Sequence, residues 1–577
     1  LFLTQLSMAF QKKFLVKLTL RQMLDELSSP GAIAGYVAAH RPSAAAPAKP
    51  ATEAAAGDKL APAQAGPFGP ETAAPPAPPV GQVRHGPFAP INKSAGDALT
   101  PKQQQALDAL IARYTTRTRR SKEHTQKHRA HFSDPRAVSG FRITWKEITY
   151  PVVSARSAGA KIWDLDDNEY IDVTMGFGTY LFGHNPEFIR LAIEAQLKEG
   201  FEIGPQNRLA GDVARMVCDL SGMDRATFCT TGSEAVMGAV RAARTVTGRN
   251  KVVYFSGDYH GVHEEVLAKG QPFQGRTRTV PIAPGIPNEL VSQVIVLTYG
   301  DPAALEAIRA QADDLAAVLV EPVQSRKPEL QPREFLHQLR ALTQERGIAL
   351  IFDEIVTGFR IHQGGSQAYY GIKADLATYG KIIGGGMPIG VIAGRKEYLD
   401  AFDGGTWQYG DGSIPEAGVT FFAGTFVRHP LAMAAAQAVL KHLIARGPAL
   451  QDELGARTAK FVEHLNAHFD AEGIDLHINR CGSVWYFSHG ESFKYYSLMF
   501  HFLRELGIHI WEGRPCFLST AHTDEDVARL TEAFKQAMKN MRDGGFLPER
   551  VVRIPDQGPF PLTDAQQEIW LTSRFDP

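Results

Sequence analysis

Cysteine is scarce in this 577-residue chain: there are four, Cys218, Cys229, Cys481 and Cys516, and no two are spaced as CxxC. That excludes a disulfide framework and a zinc ribbon, predicts no metal, and fits a reducing compartment such as the cytoplasm. An excess of either charge is also missing. Sixty-one basic side chains oppose sixty-two acidic ones, so no overall field draws the chain to nucleic acid or to a membrane surface. No run approaches 18 uninterrupted apolar residues, which excludes an ordinary membrane-spanning helix. The apolar opening is broken by Gln5, Gln11, Lys12, Lys13 and Lys17, unlike a signal peptide. The chain starts at Leu1 and stops after Phe575-Asp576-Pro577. It reads as a piece of a longer polypeptide.

What is present is spread unevenly. Residues 41–90 hold 12 of the 36 prolines, together with 15 alanines. Such a stretch cannot bury enough apolar surface to offset its ordering entropy, so 40–98 is predicted to be a disordered linker. Before it, 1–39 carries helical apolar spacing. After it, 99–140 reads as a helical lead-in opened by Thr100-Pro101, with proline at a favoured early position. Seven basic residues between Arg113 and Arg129 face only Glu123. With no aromatic platform among them they read as a solvated helix face, not a nucleic-acid site.

From residue 141 the texture changes. Residues 161–171 predict a hairpin turning at Asp166 to Asn168. Short apolar runs follow at 226–229, 252–255, 294–297, 316–320 and 348–352, several of them separated by helical patterns. The fold class is therefore α/β, a large domain with a mostly parallel sheet. Residues 474–545 predict a smaller α+β unit that ends in an amphipathic helix over 524–541.

Four features follow predicted strands, where open α/β sheets bind ligands. Gly232 and Ser233 open a helix and could form an anion cup or a plain cap. Tyr259 and His260 sit in a glycine-bounded loop, where a flat ring could stack or ordinary packing prevail. Asp353 and Glu354 leave a buried strand, where a carboxylate needs a positive partner or forms a structural ion pair. Lys381 lies among Gly380, Gly384, Gly385 and Gly386, where desolvation would favour a nucleophilic free amine. Anion cup, stacking face, carboxylate and amine are the parts of a pyridoxal phosphate site.

The stretches Thr231-Gly232-Ser233-Glu234-Ala235, Tyr259-His260-Gly261, Glu321-Pro322-Val323, Asp353-Glu354-Ile355-Val356-Thr357-Gly358-Phe359-Arg360, Lys381 and Gly424-Thr425 carry a resemblance. Residues 141–545 resemble class III aminotransferases of PLP fold type I, especially the glutamate-1-semialdehyde aminomutase-like branch. The resemblance implies that Lys381 bonds the cofactor and shuttles a proton, while Asp353 holds its pyridine nitrogen protonated. It places Tyr259 and Ile355 on opposite faces of the ring, His260 beside them, and Gly232 and Ser233 on the phosphate. Thr425 is implied to reach the phosphate of a neighbouring subunit in a homodimer. Arg142 matches an arginine that holds a substrate carboxylate, and Glu321 joins it as a substrate-side candidate. Arg326 stands where the aminomutases carry a small amide residue, which points to a different, anionic or tethered partner.

The ends carry further resemblances. Residues 1–39 resemble the last helices of an acyl carrier domain, and 546–577 a linker and the opening of a nonribosomal peptide condensation domain. Together these imply an aminotransferase domain of a hybrid polyketide–peptide synthetase. Its partners would be a phosphopantetheine-linked acyl chain on the upstream carrier, the downstream condensation domain, and an amino donor, glutamate or glutamine. The donor would convert pyridoxal phosphate to pyridoxamine phosphate, which aminates a β-ketoacyl thioester. The alternatives are an aminomutase or aminotransferase acting on a free small substrate, and a catalytically inactive scaffold.

Overall fold

Residues 98–136, 141–273, 276–283 and 285–548 are described by the computed structural model. The expectations placed on 1–39, on the linker over 40–97 and on 549–577 lie outside the described residues. The five apolar runs form strands β1 (Arg225–Cys229), β2 (Lys251–Phe255), β3 (Val294–Leu297), β4 (Leu315–Val320) and β5 (Ala349–Asp353). Two more, β6 (Leu376–Tyr379) and β7 (Gly390–Gly394), complete a seven-stranded sheet in the order β1-β7-β6-β5-β4-β2-β3. Only β7 runs antiparallel to its neighbours within this sheet. Every residue of β4, β5, β6 and β7 is buried, as expected of central strands covered on both faces.

The sequence reading misses β6 and β7 for a physical reason. Strand β6 has four residues, and β7 begins and ends in glycine. A Cβ on Gly390 would lie 2.1 Å from the Thr231 carbonyl oxygen, and one on Gly394 would lie 2.6 Å from Leu376 Cδ2. Close backbone approach therefore demands glycine where strand propensity disfavours it.

The lead-in is helical: α1 (Pro101–Arg117) and α2 (Arg119–His128). Thr100 caps α1, accepting from the Gln103 N–H while the Gln103 side chain accepts from the Thr100 N–H. Its apolar stripe, Leu107, Leu110 and Tyr114, is fully buried in the main core. Helix α2 is polar, with Ser121 alone buried.

The hairpin turns as predicted, with Asp167 at φ 60°. The C-terminal α+β region holds an antiparallel sheet of Leu476–Cys481, Val484–His489 and Cys516–Phe517. It is not built from the C-terminal segment alone. Ile508–His509 pairs in parallel with Glu169–Asp172 of the hairpin, whose outer strand edge thereby gains a partner. Among the described residues no helix is long and apolar enough to cross a membrane, and no cluster of His, Cys, Asp and Glu could hold a metal ion.

Candidate active site

Strand β5 is apolar until its last residue, and that residue, Asp353, enters the site at the carboxyl end of the sheet. A buried carboxylate must be hydrogen-bonded. Asp353 Oδ1 accepts from the Ile355 N–H at 3.1 Å and from Thr378 Oγ1 at 3.4 Å. Its Oδ2 lies 2.7 Å from His260 Nδ1. The other ring nitrogen of His260 lies 3.2 Å from Asp258 Oδ2. Burial opposes protonation of this imidazole, yet the hydrogen bonds to Asp258 and Asp353 outweigh it and raise the pKa to about 10. His260 is therefore a buried cation that donates to both carboxylates. Gln324 donates to Asp258 at 2.6 Å and completes the layer beneath.

Lys381 arrives on the neighbouring strand. It follows β6 through Gly380 and opens a single turn with φ of 30°, a left-handed conformation that costs a side-chain-bearing residue about 1–3 kcal/mol. Burial lowers its pKa, against the attraction of Asp353 and Glu321, so more of the amine is uncharged. Arg360 adds to that lowering. Its guanidinium is fully buried and has no carboxylate partner among the described residues, donating to Ser483 Oγ and to the Gly178 carbonyl and lying 4.7 Å from the Phe517 ring centroid. Burial brings its own pKa down to about 9.

Helix α3 (Gly232–Thr247) supplies the opposite end of the site. Thr231 and Glu234 form a capping box, while the N–H groups of Gly232 and Ser233 have no partner within the helix. Space here is minimal. A Cβ on Gly232 would lie 2.9 Å from Ile355 Cδ1, and one on Gly261, at φ 107°, would overlap Ser233 Oγ. Ser233 Oγ accepts from the Val262 N–H at 3.2 Å.

Gly232, Ser233, Tyr259, His260, Asp353, Ile355 and Lys381 line one cleft of about 190 Å³. Seven residues singled out from the sequence thus meet in space. Val236, Gly261 and Val356 line it as well. The donor set fits pyridoxal phosphate: a helix start without room for a Cβ to take an anion, a carboxylate held by a buried imidazolium for the ring nitrogen, and an amine for the aldehyde.

The remaining candidates stand elsewhere. Glu321 lies behind the cleft wall, where it accepts from the Tyr259 N–H at 2.9 Å and fixes that loop. Burial, with Asp258 and Asp353 close by, pushes its pKa up. Arg326 is exposed, 6.0 Å from the Tyr259 ring centroid. Arg142 is exposed, donates to its neighbouring Phe141 carbonyl and does not line the cleft. Thr425 is exposed in a stretch that also exposes Phe421 and Phe426. Asp258 and Arg360 were given no role from sequence, although Asp258 directly precedes the Tyr259-His260-Gly261 motif and Arg360 closes the one that starts at Asp353. The signal for each is a charged residue within an apolar or glycine-rich segment.

A family profile described as aminotransferase class-III matches residues 144–538. The chain is 32% identical over 404 residues to glutamate-1-semialdehyde 2,1-aminomutase of Archaeoglobus fulgidus, covering 67% of this chain and 93% of that protein. Among solved structures it is similar to an ω-transaminase from Sphaerobacter thermophilus (TM-score 0.65, 26% identity, 73% of this chain and 98% of that one). It is also similar to a β-phenylalanine aminotransferase from Variovorax paradoxus (TM-score 0.65, 28% identity, 78% and 100%).

Proposed function

The chain belongs to the class-III aminotransferases, which use pyridoxal phosphate, and from that premise we propose that it aminates the β-carbonyl of an acyl thioester held on a phosphopantetheine carrier. The amino group would come from a separate donor, glutamate or glutamine. The observation that carries this reading is the substrate side of the cleft. Arg142, the match to the aminomutases' carboxylate-holding arginine, does not line it, and Arg326 stands over Tyr259 at the mouth. The similarity to a β-phenylalanine aminotransferase supports a β-amino product. A carrier tethered through the Ala/Pro-rich stretch of residues 41–90 would present the acceptor at high effective concentration.

Pyridoxal phosphate, when bound, supplies an electron sink. The chain's own residues do the rest. Gly232 and Ser233 would hold the phosphate, and Tyr259 and Ile355, which line the same cleft, would confine the ring. Asp353, hydrogen-bonded to His260, would face the ring nitrogen and hold a proton there. Lys381, whose pKa burial lowers, would take a proton from the donor's α-carbon and later return one to the acceptor's β-carbon.

A second reading, isomerisation of a free amino-aldehyde, is favoured by the curated relatives, since the protein at 32% identity is named a glutamate-1-semialdehyde aminomutase. The two differ in stoichiometry. Mass spectrometry of a β-ketoacyl carrier incubated with enzyme and glutamate should show the β-amine, with one 2-oxo acid released per amine. Conversion of glutamate-1-semialdehyde without a donor, and no change in the carrier, would establish the second reading instead. We further propose a homodimer. Tyr409, Phe421 and Phe426 are 92, 80 and 57% exposed, an apolar patch of the kind that marks an interface. Sedimentation should return twice the chain mass.

A further inference from the structure

Outside the cofactor cleft lies a larger cavity, of about 450 Å³, between the helical lead-in and the body. That size falls in the range of roughly 300–1,000 Å³ in which proteins hold small organic ligands. One wall comes from residues that precede the family match: Thr125 and His128 of α2, then Phe132 and Arg136. The other wall is aromatic, with Tyr150, Phe177, Tyr180 and Trp511.

The lead-in is anchored well before it reaches this wall. Tyr114 is buried, Thr118 Oγ1 is 2.7 Å from the Tyr150 hydroxyl, and Asn168 donates to the Arg117 carbonyl at 2.7 Å. Helix α2, by contrast, buries only Ser121 and so adds little to the core. A short polar helix with so little burial is not retained for packing. Its inner side faces the cavity, and Phe132 just beyond it stays 65% exposed at the rim. Arg136 lies 5.8 Å from the Phe177 ring centroid and 5.5 Å from that of Trp511, which ties the segment after α2 to the aromatic wall.

The aromatic wall is held in a strained shape. Met175, Gly176 and Phe177 are successive left-handed residues, two of them with side chains. Asp172 holds the turn, accepting from the N–H groups of Thr174 and Met175 at 2.9 and 3.2 Å and pairing with His184 and His509 at 2.8 Å each. Strain of this kind persists where the surroundings fix it for use. The cavity is also close to the chemistry. Tyr180 lines it and packs against a buried cluster that includes Val356, a residue of the cofactor cleft.

The geometry points to an acyl subsite: the cavity takes the linear aliphatic chain of the amino acceptor, with the lead-in segment as its outer wall. This inference rests on the acyl acceptor proposed above and names the part of the molecule that selects its length. A chain leaving the reacting carbon passes Tyr180 and lies between Phe177, Trp511 and Phe132, where each added methylene is withdrawn from water.

The test uses the full chain loaded with pyridoxal phosphate, and saturated acyl-pantetheine thioesters of increasing length as unreactive probes, measured by calorimetry. Affinity should rise roughly fourfold per methylene until the cavity is filled and then level off. Thr125→Trp, which fills the cavity from α2, and Phe132→Asp, which places a charge at its rim, should each flatten that rise. Retention of the cofactor's absorbance on Lys381 shows that the variants are folded. A wild-type affinity independent of length, or a rise unchanged in both variants, overturns the proposal. If short β-ketoacyl-pantetheine is aminated but length has no effect, the acyl subsite fails and the amination stands. If the rise is present and blocked by Thr125→Trp, yet no β-keto thioester is aminated with any donor, the subsite stands and the functional reading fails.

Discussion

The floor of the cleft and its mouth are built on opposite principles. On the floor, Asp353, His260 and Asp258 are buried and joined by hydrogen bonds of 2.7 and 3.2 Å. At the mouth, Arg326 is exposed beside Tyr259, and Arg142 and Thr425, exposed elsewhere, do not line the cleft either. A charge inside the core must be satisfied or it destabilises the fold, so the floor tolerates little variation. Nothing comparable restrains the mouth. The difference puts the sharper constraint on the floor, where a single substitution would leave a buried charge without its partner.

The comparison can be broken by substitution. Lys381→Ala removes the group that moves the proton, and amination should fall by at least ~10³–10⁴-fold in single-turnover assays. Asp353→Asn removes the charge opposite the ring nitrogen; a fall of ~10²–10³-fold is expected, with faster loss of cofactor on dialysis. His260→Asn leaves Asp353 in place but unheld, with an effect of ~10–100-fold, as for outer partners that orient a functional group.

A pH readout separates His260 from a merely structural residue. Its folded pKa of about 10 lies above the ordinary value of 6.5. The stability it contributes is therefore complete below about pH 6.5 and is lost as pH rises through about 10. Thermal melts of the wild type should show that alkaline loss, and melts of His260→Asn should lack this component. At the small end, Arg142→Ala should change kcat and KM by no more than about threefold, the scale of an exposed substitution. A loss of a hundredfold would mean that the mouth is as fixed as the floor.

The sequence was most legible where one physical demand dominates. Five of the seven strands of the central sheet show as apolar runs, most plainly β4 and β5, where every residue is buried. Strands β6 and β7 do not, since one is short and the other needs glycine against Thr231 and Leu376. The residues that line the cleft stand out in the sequence because most combine a special residue type with the end of a strand. Asp258 was hidden although it sits two residues from His260, because its partners Glu321 and Gln324 lie more than 60 residues away. Arg360 was hidden because its partners, the Ser483 hydroxyl and the Gly178 carbonyl, are uncharged and lie more than 120 residues away. At the mouth a motif match gives a position and not an orientation. Arg142 matches its counterpart in sequence, yet it turns to the Phe141 carbonyl.

The account depends on Lys381 being the lysine that holds the cofactor. Borohydride reduction of the holoenzyme, digestion and peptide mass mapping would read this directly. The predicted result is a single pyridoxyl adduct on the peptide containing Lys381. An adduct on any other lysine, or none on a cofactor-loaded protein, would contradict it.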